Sequence, residues 1–354
     1  MHPKLLIDTE KISHNVRVVV NACRMHGVEV CGVTKAFCGD ERIARIFADG
    51  GVSCLGDSRI VNLSRYKEIS LPKILIRCPQ LSEVDDVVST ADVSVNTELD
   101  TLKLLDEACL RNRIDRHGVL IMVDLGDLRE GVLEEGEFRH LLDYIASSNC
   151  LYLYGIGANL NCLSFILPDS GKMTELLHFA AIAKEVVGSS SLVVSGGNSS
   201  NLNLVLSGDS PEGVNSLRLG ESLLFGRERA TYQYLPGTTN DAFILQTSVV
   251  EVKEKPSKPW GRSGVDSYGR AHSFEDKGQR MRAILAFGHQ DCDTEVLWPL
   301  DKGISVIDSS SDYTVVDVTE SSTTYGVGDL IEFRCGYHAV ARAFANPYIE
   351  KVFL

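Results

Sequence analysis

The alternation of short apolar runs with longer helical patterns constrains the fold of this chain more than any other feature. Up to about residue 230, each run is followed by a segment with apolar residues at three- and four-residue spacing. The eight runs are VEVCGVT (28–34), VSCLGDS (52–58), KILIRC (73–78), DVSVN (92–96), GVLIMVDLG (118–126), LYLYGIGAN (151–159), LVVSGGN (192–198) and VNSLRLGE (214–221). Eight strand-helix repeats predict an α/β fold, a (β/α)8 TIM-type barrel. A doubly wound open sheet is the alternative, since it shares the repeat.

The pattern becomes all-β after Asn240. Strand-like segments are separated there by turn-rich stretches such as KEKPSKPWGRSG. These segments are AFILQTSVVEV, MRAILAFG, GISVIDSSS, YTVVDV and DLIEFR. The sequence therefore predicts two domains, a barrel over residues 1–230 and a mainly β domain over residues 231–354. The opening run KLLID fits either domain.

Charge and cysteine usage narrow the function classes. A net charge of −13 and a pI near 5.2 argue against a nucleic-acid or anionic-membrane surface, which needs a basic patch. The ten cysteines include no CxxC pair, so they predict reduced thiols rather than a metal site or a disulfide framework. The opening segment MHPKLLIDTEKI has no basic region followed by a long apolar stretch, so we expect neither an export signal nor a membrane segment. We expect a cytoplasmic protein that acts on a small molecule.

Two loops of the predicted barrel carry a chemical signal, because catalytic groups of this fold follow the strands. Lys35, in VTKAFCGD, is either a solvated strand end or a reactive amine with a lowered pKa. The loop SGGNSS is either a plain glycine turn or a phosphate site at a helix start. A lysine after strand one and a phosphate site after strands seven and eight suggest pyridoxal 5′-phosphate.

The segment VTKAFCGD resembles the lysine motif of the alanine racemase family, the barrel-type pyridoxal phosphate enzymes. The similarity continues in order with KLLIDTEKISHNV, VDLGDLREGV, SGGNSSNL, NSLRLGESLLFG and RAILAFGHQD. These segments resemble the family's opening, central arginine loop, phosphate loop, last barrel strand and entry into the β domain. GVTKAFCGD, MVDLGDLREG, SGGNSS, LRLGES and EVKEKPS together resemble the ornithine racemase branch.

The resemblance implies roles for particular residues. Lys35 would hold the cofactor covalently and act as acid and base on one face of the substrate Cα. Arg218 would face the pyridine nitrogen and keep it unprotonated, which weakens the cofactor as an electron sink and suits racemisation. Arg129 would lie near the phenolic oxygen or the substrate carboxylate. For both arginines a surface salt bridge is the alternative. The implied cofactor-binding residues are Lys35, Arg129, Asn159, Asn198, Ser199, Arg218, Gly220, Glu221 and Tyr337.

The chain departs from the family pattern at four positions. Cys38 stands near the place of a phosphate-binding tyrosine, Met122 replaces a lysine, and Asn159 replaces a histidine that stacks on the cofactor. His289, in AFGHQDCD, stands where the family has its second acid-base tyrosine. Histidine can serve as that proton donor, and a structural histidine is the alternative. Tyr268 and Cys292 are the other candidates for this role.

The predicted function is racemisation of ornithine or a related basic amino acid. The resemblance implies a head-to-tail homodimer in which the second domain of one subunit completes the active site of the other. A basic amino-acid decarboxylase and a non-enzymatic cofactor-binding regulator are the alternatives. A basic substrate needs a carboxylate beyond Cα, and four candidates remain open at this stage: Asp124, Asp127, Asp291 and Asp293.

Overall fold

The computed structural model describes residues 3–189, 191–262, 264–265, 269, 271 and 273–354. The chain forms two compact units. One is Thr9–Ala242; the other combines the chain up to Asp8 with Phe243–Leu354. These limits differ from the predicted division at residues 230 and 231. Strand β1 (Lys4–Ile7) lies in the second unit, and the segment from residue 231 to Ala242 lies in the first.

The first unit is a closed parallel barrel of eight strands. The strands are β2 (Glu29–Val33), β3 (Cys54–Asp57), β4 (Lys73–Leu75), β5 (Val93–Asn96), β6 (His117–Met122), β7 (Leu151–Gly157), β8 (Val193–Ser195) and β9 (Ser216–Leu219). Each lies within one of the eight apolar runs or overlaps it. Strand β9 pairs with β2, with Cys31 opposite Arg218, and this pairing closes the sheet. The open-sheet alternative is therefore wrong.

Helices surround the barrel. They are α1 (Thr9–Met25), α2 (Glu41–Asp49), α3 (Ile60–Leu63), α4 (Val84–Thr90), α5 (Leu99–Asn112), α6 (Glu135–Ser147), α7 (Ser170–Val187), α8 (Leu202–Leu206) and α9 (Glu221–Phe225). Helix α1 shows why they pack: Ile12, Val16 and Val19 recur at helical spacing and are buried. Among the described residues, no helix combines the length and apolar character needed to span a membrane.

Side chains fill the interior of the barrel. A buried cluster joins Cys31, Cys54, Ile74, Val93, Val95, Leu120 and Met122. Because these strands are covered on both faces, they read as continuous apolar runs rather than alternating ones. The barrel is a packed core, so chemistry is confined to the loops at its rim.

The second unit is mainly antiparallel. Its further elements are β10 (Phe243–Pro256), β11 (Gln279–Leu285), β12 (Leu297–Pro299), β13 (Ser305–Ser309), β14 (Thr314–Asp317), β15 (Leu330–Cys335), α10 (Tyr337–Ala345) and β16 (Glu350–Phe353). The strand order is β12-β15-β10-β11-β14-β13, and β1 pairs with β10 and β16. The opening run KLLID thus belongs to this sheet. The first half of β10 alternates buried and half-buried residues, as expected for a sheet with one buried face.

Candidate active site

Lys35 follows β2 and begins a single 3-10 turn, Lys35–Phe37. The amides of Phe37 and Gly39 both donate to the carbonyl of Thr34, at 3.2 and 3.3 Å. Cys38 and Gly39 have φ values of 51° and 66°, which close the turn before α2. Thr34 is buried whereas the next residue is not. The turn therefore lifts the lysine out of the strand and presents its amine at the rim.

The surroundings of Lys35 favour a neutral amine. Solvent reaches the side chain, but the loops around it remove much of its hydration, and this desolvation lowers the pKa of Lys35. The charges of Arg129 and Arg229 lower that pKa as well, while Asp57 and Cys162 oppose them. A neutral amine is the form that condenses with an aldehyde.

Arg218 projects from β9 and is buried, with 7% of its surface exposed. Its guanidinium donates to Ser195 Oγ and, at 2.7 Å, to the carbonyl of Ala158. Gly157 makes room for it, because a Cβ there would lie 3.0 Å from Arg218 Nη1. The surface salt-bridge interpretation of Arg218 is therefore wrong. Burial lowers the pKa of this guanidinium, and the two oxygen acceptors support its charged form.

Arg129 lies in the loop after β6, with its side chain 39% exposed. It forms an ion pair with the adjacent Glu130. With its amide oxygen turned toward the guanidinium, Asn159 accepts from Arg129 Nη2 at 2.8 Å and Nη1 at 3.1 Å. The loop after β7 thus helps to orient the arginine of the loop after β6.

The loop that carries Arg129 is held by two aspartates. Asp124 Oδ1 accepts from the amides of Gly126 and Leu128. Asp127 is fully buried and accepts from three amides of the next loop. Those donors are Cys162 at 3.2 Å, Leu163 at 3.1 Å and Ser164 at 3.1 Å. Both carboxylates are therefore committed to the loops, which argues against either as the reader of a substrate ammonium group.

The loop SGGNSS follows β8. Gly197 has a φ of 116°, and the side chain of Asn198 accepts from the amide of Ser200 at 2.8 Å to start a 3-10 turn, Ser199–Asn201. Ser199 Oγ accepts from the amide of Ser222 at 3.3 Å, which joins this loop to the start of α9. The two loops where this barrel fold most often holds phosphate therefore meet at Ser199.

Gly220 and Glu221 stand at the start of α9. At Gly220 a Cβ would lie 3.3 Å from Val33, so the small residue lets β9 approach the end of β2. The carboxylate of Glu221 is buried and pairs with Arg227 at 2.6 Å and Arg229 at 3.7 Å. The side chain of Glu221 is thus used by arginines, and only its backbone amide suits a phosphate.

The structure adds two residues to this site, Cys162 and Arg229, that the sequence interpretation did not single out. Cys162 Sγ accepts from Asn198 Nδ2 at 3.3 Å and from Arg229 Nη1 at 3.7 Å. Cys162 raises the pKa of Lys35, and Arg229 lowers it. Arg229 also donates its backbone amide to the carbonyl of Ser199 at 3.1 Å. In the sequence, Cys162 and Arg229 are marked by position alone, because Cys162 lies in the loop after β7 and Arg229 lies in the segment after α9.

Comparison with known proteins shows the family of this chain. The family described as alanine racemase, N-terminal domain, matches residues 7–228. The chain is 42% identical to the ornithine racemase of Acetoanaerobium sticklandii and 37% identical to the lysine racemase of Thermotoga maritima, and each alignment covers 100% of this chain. The alignments cover 100% and 99% of those relatives, respectively.

The chain belongs to the alanine racemase family.

Solved alanine racemases share its fold. The enzyme from the D-cycloserine producing Streptomyces lavendulae matches with a TM-score of 0.77 at 15% identity, covering 100% of this chain and 97% of that one. The enzyme from Bartonella henselae, solved with covalently bound pyridoxal phosphate, matches with a TM-score of 0.71 at 15% identity, covering 100% of both chains. The predicted fold, a barrel followed by a mainly β domain, is confirmed.

Three of the four positions that depart from the alanine racemase pattern lie in the barrel unit. Met122 is buried in the core cluster, so no charged group occupies that position. Asn159 lies within hydrogen-bond distance of Arg129 instead of presenting a ring. Cys38 is half-buried in the left-handed turn after Lys35.

The candidate second acid-base residue lies in the antiparallel unit. His289 is half-buried, and its Nδ1 lies 3.2 Å from Thr294 Oγ1. Its backbone amide donates to Ser310, and the preceding Gly288 has no space for a side chain, since a Cβ would lie 2.3 Å from Ser310 O. The turn therefore fixes the imidazole, with Thr294 engaging Nδ1 rather than Nε2.

The other predicted residues of this unit have different surroundings. Cys292 is buried, and burial raises the pKa of its thiol, which suits an inert cysteine better than a proton donor. Tyr337 begins α10 with its ring against His338. Tyr268 lies outside the described residues. Asp291 accepts from the amide of Gly288, and Asp293 lies 3.7 Å from Arg342, so both carboxylates have partners within their own unit.

Proposed function

We propose that this protein is a pyridoxal phosphate-dependent racemase that interconverts L- and D-ornithine or a related basic amino acid. The full-length similarity to an ornithine racemase and a lysine racemase carries the proposal. The barrel rim supplies residues that fit the cofactor. Lys35 offers an amine with a lowered pKa, and Ser199 and Ser222 bring a hydroxyl and an amide together where two loops meet.

Each residue of the rim has a part that follows from its chemistry. Pyridoxal phosphate, when bound, supplies an electron-withdrawing system that makes the substrate Cα–H acidic. Lys35 would hold it covalently until the substrate amine takes that place, and Lys35 Nζ would then move the Cα proton on one face. Arg218 would face the pyridine nitrogen and hold its own proton, so that nitrogen stays unprotonated.

Arg129, Asn198, Ser199, Gly220 and Tyr337 would position the cofactor. A planar guanidinium at Arg129 suits the phenolic oxygen or the substrate carboxylate. We assign the phosphate to the loop of Ser199 and the adjacent Gly220, with the amide of Glu221 beside them. Asn159 would act on the cofactor through Arg129, because its amide oxygen faces that guanidinium.

His289 would return the proton on the face opposite Lys35. Nδ1 is engaged by Thr294, so Nε2 is the nitrogen assigned to proton transfer. Following the family, we assign His289 to the active site of the partner subunit in a head-to-tail homodimer. We place the protein in the cytoplasm on the basis of its cysteine usage.

Chiral chromatography of L-ornithine, L-lysine and L-alanine after incubation with the cofactor-loaded protein tests the proposal. We expect the D form of a basic amino acid, and its loss in Lys35→Ala. Lys103→Ala is the matched control, because Lys103 is an exposed lysine of α5 that pairs with Asp100 at 3.1 Å. Purely L products with wild-type protein would refute racemisation of these substrates. Release of carbon dioxide under the same conditions would favour the decarboxylase alternative.

A further inference from the structure

A buried carboxylate lies beneath the Lys35 turn. Asp57 ends β3, and its side chain is 0% exposed. It accepts from Thr34 Oγ1 at 2.6 Å, from the amide of Arg59 at 2.9 Å and from Asn62 Nδ2 at 3.0 Å. All three donors are neutral groups. Burying a charge on neutral partners costs free energy, so such a carboxylate beside a reactive amine is a candidate for a functional role.

Thr34 connects this carboxylate to the lysine. Its amide donates to Gly56 O at 2.8 Å, and its carbonyl accepts the two amides that form the Lys35 turn. Its hydroxyl proton goes to Asp57. Every hydrogen-bonding group of Thr34 is thus engaged, with the strand on one side and the turn on the other. The backbone of the residue before Lys35 has little freedom to move.

Tyr66 and Asn62 extend the same network. The hydroxyl of Tyr66, a fully buried residue, lies 3.1 Å from Thr34 Oγ1. Because the threonine proton is directed to Asp57, the tyrosine is the donor in that contact. On the other side of the turn, a Cβ at Gly39 would lie 2.6 Å from Asn62 O. The network therefore contacts both the residue before Lys35 and the end of its turn.

The charges that face Lys35 come from four loops. Arg129 after β6 and Arg229 after α9 disfavour its ammonium form, whereas Asp57 after β3 and Cys162 after β7 favour it. The nearby carboxylates Glu130 and Glu221 are each paired with arginine. Asp57 accepts hydrogen bonds from the three neutral donors named above. Burial raises the pKa of its carboxyl, while those hydrogen bonds and the charge of Lys35 lower it and favour the charged form.

We propose that Asp57 is a positioning residue for Lys35, which fixes the lysine turn through Thr34 and supplies the buried negative charge that offsets Arg129 and Arg229. The inference rests on the proposed function. An amine that takes and returns a proton in each turnover must be able to hold both forms. Without Asp57 the ammonium form loses its counter-charge, so the pKa of Lys35 falls further.

The charge is tested on the full-length protein by NMR. Lysines are reductively methylated with ¹³C-formaldehyde, and the signal absent from Lys35→Ala is that of Lys35. Asp57→Asn keeps the shape of the side chain and removes its charge, and we expect the titration midpoint of Lys35 to fall by about one pH unit. Asp49→Asn, at the exposed end of α2, is the matched control and should leave it unchanged. An unchanged midpoint in a folded Asp57→Asn protein would overturn the role of the charge.

The positioning of Lys35 is tested with Thr34→Val, which keeps the carboxylate of Asp57 and removes the 2.6 Å hydrogen bond from Thr34 Oγ1 to it. We expect kcat to fall by about tenfold or more at an unchanged KM, with a narrower, more mobile Lys35 signal. Wild-type kcat and linewidth would overturn this part, and the variant decides it even if Asp57→Asn does not fold. The NMR readouts need neither cofactor nor substrate. A wild-type protein that fails to racemise would therefore refute the proposed function and leave this inference to be judged by NMR.

Discussion

The side chain of Asp127 joins the loop that carries Arg129 to the loop that carries Cys162. Its two oxygens accept from three consecutive amides, Cys162, Leu163 and Ser164, and Ser164 Oγ donates back to the carbonyl of Asp127 at 2.8 Å. We predict that Asp127→Asn destabilises the barrel unit and lowers activity. The substitution changes one oxygen to an amino group and alters neither length nor shape.

The magnitude follows from this geometry. Asparagine keeps one acceptor, so its amino group must face either the Ser164 amide or those of Cys162 and Leu163. A hydrogen bond to a charged group contributes about 1.5–3 kcal/mol. Loss of one such bond, with weakening of the others, lowers the free energy of unfolding by about 3 kcal/mol. For a unit of this size that corresponds to a fall in Tm of roughly 6–12 °C.

Thermal unfolding and steady-state kinetics measure the two effects. We expect kcat/KM to fall by about tenfold or more, because the loop that orients Arg129 is loosened. Asp143→Asn is the control, since Asp143 is exposed on α6. A Tm and a kcat/KM for Asp127→Asn that match those of the control would refute the reasoning.

Three further predictions concern other parts of the molecule. Gly131→Ala should unfold the loop after β6, because φ at Gly131 is 148° and a Cβ there would lie 2.2 Å from Asp124 N. At Gly136, in α6, a Cβ would meet free space, so Gly136→Ala should raise the free energy of unfolding by about 0.5 kcal/mol. His289→Asn should lower racemisation by about 10²-fold or more, yet leave deuterium exchange at Cα of one enantiomer. Burial lowers the pKa of His117 from 6.5 to about 4. As the pH falls, the unfolded state therefore takes up this proton before the folded state does. The free energy of unfolding should fall by about 3 kcal/mol between pH 6.5 and pH 4.

Thermal unfolding, deuterium exchange and urea unfolding test these three predictions. Equal melting temperatures for the two glycine variants would contradict the steric argument at Gly131. Exchange of both enantiomers by His289→Asn would contradict its assignment, and the exposed His26→Asn serves as the control. For His117, which contacts Ser94 Oγ at 2.8 Å, urea unfolding is compared at several pH values. His117→Gln should remove most of the pH dependence; an undiminished slope would assign it to other groups.

Local patterns in the sequence determined the elements of this fold. Barrel strands are covered on both faces, so they appear as continuous apolar runs, and each of the eight runs contains or overlaps a strand. The position of Lys35 directly after the first barrel run, and of SGGNSS after the seventh, also placed the two chemical loops at the rim. These inferences needed only residue order, because the fold puts every strand end on the same face.

The limits of the two compact units differ from the predicted domain limits for a physical reason. Strand β1 is separated from its partners β10 and β16 by most of the chain, and no local pattern specifies which sheet a short strand joins. The segment from residue 231 to Ala242 has turn-like composition, and it belongs to the barrel unit through contacts remote in sequence. An example is the amide of Thr239, which donates to Asn15 at 2.8 Å.

The sequence by itself determined the barrel, the order of its loops and the identity of the lysine and of the arginine on the last strand. Only the tertiary structure decided the surroundings of that lysine. Asp57 reaches Thr34 across neighbouring strands, and Asp127 binds a loop that follows the next strand. Cys162 and Arg229, which contact each other from different loops, both act on the pKa of that lysine. Such contacts join residues far apart in the chain, and their distances depend on how the barrel closes rather than on any local spacing.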